Sequence, residues 1–329
     1  MYPQLPGNFP QVIDSTIRSD FVSCQTKGYY SFFRKLGPKY PSIDLIAGGA
    51  FARGLEVTRK RYYGEGVPFE DALQEGMMEA IALYNLELKG APIPESKAKK
   101  GPDRVVMALA DYFTQYPVAT DVIQPYMVYG KPSVEFTFSI PLPIVHPTTN
   151  EPLLYAGRFD MVGIYRNQLI GVDEKTTSQL GASWGNQWNL RGQFTGYCWA
   201  LREYGVPVIG MMVRGISFLA KSFGHVENLQ MRSPWQIDAW YAQLLRDIGA
   251  MKEAYASGWY DQNFSDSCSA FGGCPFQKLC TSATPEDWVE GNFAPRDWNP
   301  LDKVPYAQPE VKAETINDEL FKEFLTRGE

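Results

Sequence analysis

The chain has 329 residues, 44% of them hydrophobic and 21% charged, and a formal net charge of −6, a composition ordinary for a soluble globular protein and long enough to bury a substantial core in one large domain or two modest ones. It contains no run of about eighteen apolar residues, and its N-terminus, Met1-Tyr2-Pro3-Gln4-Leu5-Pro6, has neither a basic nor an apolar leader pattern, so a cytoplasmic protein without a membrane span is expected. Six acidic and three basic residues lie between Glu310 and Glu329, so half of the net charge sits in that tail and the near-neutral remainder is compatible with a nucleic-acid partner.

In chain order, apolar spacing predicts helices over 43–63 and 69–88, the second opening after Pro68, and a third over 103–115. Strands are predicted over 121–129, 133–141, 153–165 and 168–176, the last two joined as a hairpin through Arg166-Asn167-Gln168. A helix over 183–204 ends at Gly205-Val206-Pro207, and strands over 208–220 and 225–231 follow. Ser233-Pro234 then precedes a helix over 235–257, and a short amphipathic tail over 316–325 is suited to docking on this protein or a partner. This order gives an α/β fold with a mixed central β-sheet flanked by helices. Residues 1–290 read as one domain, and 291–329 as a C-terminal extension with an acidic tail.

The chemistry concentrates on the hairpin. With its turn near Asn167, Asp160 and Asp173 face each other, and opposed like charges about 5 Å apart are destabilising unless compensated. A divalent cation would compensate them. Residues two apart share a strand face, so Lys175 joins Asp173 while Glu174 points away. Two carboxylates and an ammonium suit phosphodiester hydrolysis: the acids hold Mg²⁺ or Mn²⁺, and the amine stabilises the attacking hydroxide or the charged transition state. His146 and His225 lack the spacing of a histidine metal centre, and the absence of a GxxxxGK[ST] loop argues against a nucleotide-driven motor. Arg59-Lys60-Arg61 and the cluster Lys97, Lys99, Lys100 and Arg104 are either basic patches or solvated helix faces.

Cys268, Cys274 and Cys280 lie within thirteen residues, with five residues in each gap. In a chain read as cytoplasmic, metal ligation is favoured over disulfides. The gaps are wider than those of common zinc sites and lean toward an iron-sulfur cluster. Cys24 is the better fourth ligand, because Cys198 falls in a helix among Trp199, Ala200 and Leu201, where a buried small thiol is the plain reading.

Together these residues resemble the PD-(D/E)XK nuclease superfamily, specifically the RecB-like exonucleases with a four-cysteine iron-sulfur cluster, of phage-encoded and CRISPR-associated type. Gly157 to Asp160 matches the family's Gly-x-x-Asp segment, Asp173 to Lys175 its Asp-x-Lys triplet, and Gln193 with Tyr197 its Gln-x-x-x-Tyr signature. The last pair, at i and i+4, shares one helix face. The resemblance implies a metal-dependent DNA exonuclease acting on DNA with a free end in recombination, repair or replication, alongside partner proteins. It implies Asp160, Asp173 and the Glu174 carbonyl as metal ligands, Lys175 as a catalytic group, and Gln193 and Tyr197 as substrate-positioning residues. Cys24, Cys268, Cys274 and Cys280 would hold a 4Fe-4S cluster tying the N- and C-terminal segments together, with Zn²⁺ as the alternative. Many members also carry a metal-binding helix histidine, and Gly48 to Leu55 matches its context with Ala52 in that place. Glu56, Glu135 or water can complete the coordination instead. The missing histidine leaves a rival reading, a catalytically impaired DNA-binding or complex-assembly protein.

Overall fold

The computed structural model describes residues 7–40, 42–128, 130–264, 266–269 and 273–302. The N-terminal segment forms β1 (Val12–Ile13), α1 (Ser15–Ser23), α2 (Gln25–Gly28) and β2 (Leu36–Pro38), and three helices follow, α3 (Ile43–Arg59), α4 (Phe69–Leu88) and α5 (Pro102–Gln115). After the short β3 (Gln124–Pro125), β4 (Met127–Val128) and β5 (Lys131–Pro132) come the long strands β6 (Val134–Val145), β7 (Pro152–Tyr165) and β8 (Gln168–Thr177). Then α6 (Gly192–Glu203), β9 (Gly210–Phe218), β10 (Phe223–Met231) and α7 (Pro234–Ser257) lead to α8 (Gln277–Thr281), α9 (Glu286–Asn292) and β11 (Phe293–Pro295).

The fold is α/β. Among the described residues, one sheet runs in the order β1-β7-β8-β9-β10, with β3 and β6 also paired to β7. It is mixed, since β1 with β7 and β8 with β9 are parallel while the other pairs are antiparallel. The hairpin turn places Arg166 and Asn167 at φ +49° and +62°, the two left-handed central residues of the turn type whose twist matches a two-residue hairpin.

The edges of β7 decide where the site lies. One edge is followed by β6 from Pro152 to Met161. On the opposite edge β1 takes Leu154 and Tyr155, and β8 takes Met161 to Tyr165. Residues 156–160 therefore have no ladder partner on that side, and the sheet carries a gap in its interior.

Helices cover both faces. Tyr155, Phe159, Met211 and Val213 pack with Tyr197 and Trp199 of α6 and Trp240 and Leu244 of α7, while Ile216 and Phe218 pack with Phe51 of α3 and Leu109 and Tyr112 of α5. Helices α3 and α4 approach closely because Gly76 has no side chain. A Cβ there would lie 2.2 Å from Thr58 Oγ1 and 2.6 Å from the Gly54 carbonyl oxygen. Gly76→Ala is expected to force the helices apart and cost about 1–3 kcal/mol, read as a lower denaturant midpoint with an unchanged slope.

Two sequence expectations are corrected. The strand expected over 121–129 is broken within its described residues 121–128, because Pro125 has no N–H to extend a ladder and Asp121 turns the chain by accepting the Ile123 N–H at 3.1 Å. Residues 183–191 are not helical apart from a 3₁₀ turn at Asn186–Trp188, and α6 starts at Gly192. Gly185, Asn186 and Asn189 disfavour helix, and Trp184 and Trp188 are buried edge-to-face at 5.2 Å instead. The sequence reading also passed over α1, which starts where the Asp14 carboxylate accepts the Ile17 N–H at 2.7 Å.

The segment after α9 returns to the N-terminal part. β11 pairs antiparallel with β2, Trp298 Nε1 donates to Asp14 Oδ2 at 3.0 Å, and Arg158 meets Asp302 at 3.0 Å. The acidic stretch 310–329 and its amphipathic part 316–325 lie outside the described residues. Among the described residues no helix is long and apolar enough to cross a membrane.

Candidate active site at the gap in the sheet

Asp160 sits at the end of the unpaired stretch of β7. Its Oδ2 accepts the Glu174 backbone N–H at 2.6 Å, so a carboxylate stands where a ladder carbonyl would otherwise be. Continuing the register that pairs Met161 with Val172 places Asp160 opposite Asp173. Asp173 is 2% exposed, and its Oδ2 meets the Lys175 ammonium without a well-aligned hydrogen bond. The structure thus brings Asp160, Asp173 and Lys175 together.

Their charges act on one another. Burial, and then the negative charges of Asp173, Glu174 and Glu135, push the Asp160 carboxyl well above the usual carboxylate range. Burial also pushes Asp173 up, against the downward pull of Lys175. For Lys175, burial disfavours the ammonium, but the Asp173 and Asp160 carboxylates more than offset it and raise its pKa. With both acids ionised the trio is one positive charge short of neutrality, the condition that a bound cation relieves.

Glu174 faces the other side of the sheet. Its Oε1 accepts from Arg59 at 2.5 Å and from the Tyr112 hydroxyl at 2.8 Å. Burial alone would raise its pKa, and the Arg59 guanidinium more than offsets this, holding it at about 2. Arg214, the neighbour of Glu174 on β9, is fully buried and meets Asp121 at 2.6 and 2.7 Å, with its guanidinium 3.9 Å from the Tyr116 ring centroid. The side chain of Glu174 is therefore committed to an internal ion pair. Its backbone is not so placed, because the N–H and C=O of a strand residue leave on the same side, and the N–H points into the gap at Asp160.

The same ion pairs correct the reading of the basic clusters as patches. Arg59 is 4% exposed and held by Glu174, Lys60 meets Glu56, and Arg61 meets Glu65 and Glu75. Lys97 and Lys100 both meet Asp44, and Arg104 donates to the Leu219 and Ser222 carbonyls.

From α6, Gln193 Nε2 donates to the Tyr197 hydroxyl at 2.9 Å, and that hydroxyl donates to the Arg158 carbonyl at 2.6 Å. Tyr197 thereby satisfies a backbone acceptor in the unpaired stretch of β7. Gly157 is required by the close approach of neighbours, since a Cβ there would be 2.7 Å from Phe138 Cζ and 3.3 Å from Tyr197 Cε1. Arg191, absent from the sequence reading although it lies two residues before Gln193, is exposed, and its charge acts on both Asp173 and Lys175.

The two candidate extra ligands are less available. Glu56 is engaged by Arg53 at 3.1 Å and Lys60 at 2.7 Å, and Glu135 by Arg158 at 2.7 Å. Glu135 lies near enough for its charge to act on Asp160. Ala52 is partly buried on α3. Among the described residues, no three His, Cys, Asp or Glu side chains are positioned to hold a metal ion. Asp160 and Asp173 nonetheless form a hard-oxygen donor pair with a charge deficit, and this fits Mg²⁺ or Mn²⁺, which keep several waters as ligands.

Cys24, Cys268, Cys274 and Cys280 are free thiols that share one neighbourhood. Burial, and then the charges of Cys24, Cys274 and Cys268, push the Cys280 thiol up to about 12. Burial likewise raises Cys274, and Cys24 and Cys268 add to the rise. Cys198 lies apart, 1% exposed in the α6 core. Aromatic stacks hold the ends of the chain together here: Tyr29 on Tyr260 at 4.5 Å, Tyr30 on Phe276 at 5.4 Å and Phe276 on Phe293 at 5.2 Å. Thiolates are the ligand type that suits a thiophilic metal, but among the described residues these four are not drawn together closely enough to hold one.

No family model and no curated protein matches the chain. Among solved structures, the chain is similar to a candidate exonuclease from Eubacterium rectale, at 10% identity over 78% of this chain and 87% of the other, with a TM-score of 0.45. It is also similar to SSO0001, at 13% identity over 70% of this chain and 84% of the other, with a TM-score of 0.29.

Proposed function

We propose that the chain is a metal-dependent deoxyribonuclease of the PD-(D/E)XK type that hydrolyses DNA from a free end. The observation that carries this reading is the pair of buried carboxylates, Asp160 and Asp173, held against each other beside Lys175 at an internal gap in the sheet. Asp160, Asp173 and the Glu174 carbonyl would hold Mg²⁺ or Mn²⁺, which when bound lowers the pKa of a water and neutralises charge on the phosphate. Lys175 places its ammonium beside the reacting phosphate and stabilises charge that grows in the transition state. Tyr197 fixes the Gln193 amide, and Gln193 with Arg191 orients the strand. The reading places the protein in DNA recombination, repair or replication, where partner proteins would deliver the end.

The test is digestion of labelled DNA with Mg²⁺ or Mn²⁺, using linear single-stranded, linear double-stranded and covalently closed circular substrates. Shortening of linear DNA with the circle spared is expected. No cleavage of any substrate by the wild type would leave the rival reading, a non-catalytic DNA-binding or assembly protein.

The four cysteines would ligate a 4Fe-4S cluster that joins the two ends of the domain. Anaerobically purified protein should be coloured and contain iron, and Cys274→Ser should remove the colour and lower the melting temperature. Colourless protein with stoichiometric zinc would transfer the assignment to zinc, whose filled d shell gives no such colour.

A further inference from the structure

Between α1 and residues 186–193 lies a cleft of about 670 Å³ that ends at Gln193. One wall is a hydroxyl stripe, Ser15, Ser19 and Ser23, spaced i, i+4 and i+8 along α1. The facing wall carries the side-chain amides of Asn186, Gln187 and Asn189, all exposed. Tyr155 contributes to the lining, and its hydroxyl is fully buried with no hydrogen-bond partner among the described residues. A buried hydroxyl left unpaired carries a desolvation cost that a ligand reaching it would relieve.

The charges in the cleft are graded. Arg18 is tied to Asp247 at 2.7 Å and Asp20 to Lys27 at 2.7 Å. Arg191, at the end nearest Asp173 and Lys175, forms no side-chain hydrogen bond or ion pair among the described residues. Leu190 beside it is 83% exposed.

We propose that this cleft is a subsite for single-stranded DNA, holding the nucleotides next to the phosphate at the gap. The inference rests on the nuclease reading for the direction of the strand, though its binding chemistry does not. Amides and hydroxyls pair with the edges of unstacked bases, which a duplex keeps inside its grooves. Arg191 takes a backbone phosphate, and Leu190 offers an apolar contact to a base or sugar. The cleft falls within the size range of small-ligand sites, roughly 300–1,000 Å³, room for one or two nucleotides.

The experiment is fluorescence anisotropy with a labelled short single-stranded DNA in the absence of divalent cations, so that binding is read without turnover. Ser19→Glu/Asn189→Glu places two carboxylates on opposite exposed walls and is expected to weaken binding about tenfold or more by repelling phosphate, with an unchanged melting temperature. Arg191→Gln is expected to weaken binding and to reduce the salt dependence of log K by roughly 0.7 for one lost phosphate contact. A blunt duplex of the same length should bind at least about tenfold more weakly than the single strand. No single-strand binding by the wild type, equal affinity in wild type and variants, or equal affinity for the duplex overturns the inference. Variant-sensitive single-strand binding in a protein that cuts nothing leaves the cleft standing and removes the nuclease reading alone.

Discussion

Lys175→Ala is expected to slow DNA hydrolysis by about 10²–10³-fold, the range seen when one preorganised transition-state donor is removed. Arg59 and Arg214 cannot stand in for the Lys175 ammonium, because they are occupied on the other face of the sheet. Asp173→Ala should cost at least as much, since it removes both a candidate metal ligand and the partner of Lys175. Rates would be measured on end-labelled linear DNA at saturating Mg²⁺ or Mn²⁺, with circular dichroism as the check on folding. Variants as active as the wild type would sink the assignment of this trio.

The second large effect is on stability. Glu174→Ala should destabilise the protein by about 3–5 kcal/mol, because it strands the buried Arg59 charge. The pH dependence follows from the same pair. The folded Glu174 carboxyl sits at about 2, below its ordinary 4.5, so its contribution is fully present above pH 4.5 and is lost as pH falls toward 2. The wild type should therefore shed stability across that window. Glu174→Ala, already without the contribution, should have a flatter profile there. Urea denaturation of both proteins at pH 7, 4.5 and 3 measures the difference, and parallel profiles would contradict it.

Much of the central hairpin was legible because its signals are local. Period-two alternation fixed the faces of Asp173, Glu174 and Lys175, and the Arg166-Asn167 turn fixed the register. Helix periodicity likewise placed Gln193 and Tyr197 on one face, although the helix begins at Gly192 and not near Ser183. Long-range pairing was hidden. Nothing near Arg59 in the sequence announces a partner 115 residues away, and within Arg59-Lys60-Arg61 only Arg59 departs from a solvated helix face, since Lys60 and Arg61 pair with glutamates at the surface. Helix α1 escaped because it is short and buries only Ile17 and Phe21, too few apolar positions for a period to show. The cleft escaped with it, since one of its walls is that helix.

The junction of the two chain ends has a temporal consequence. Thr26 donates its backbone N–H to Asp261 and its hydroxyl to Tyr260, while β2 waits for β11. During synthesis β2 emerges some 250 residues before its partner β11; at roughly 5–20 residues per second that interval is about 12–50 s. For that time Leu36, buried in the finished fold, lacks its β11 neighbour.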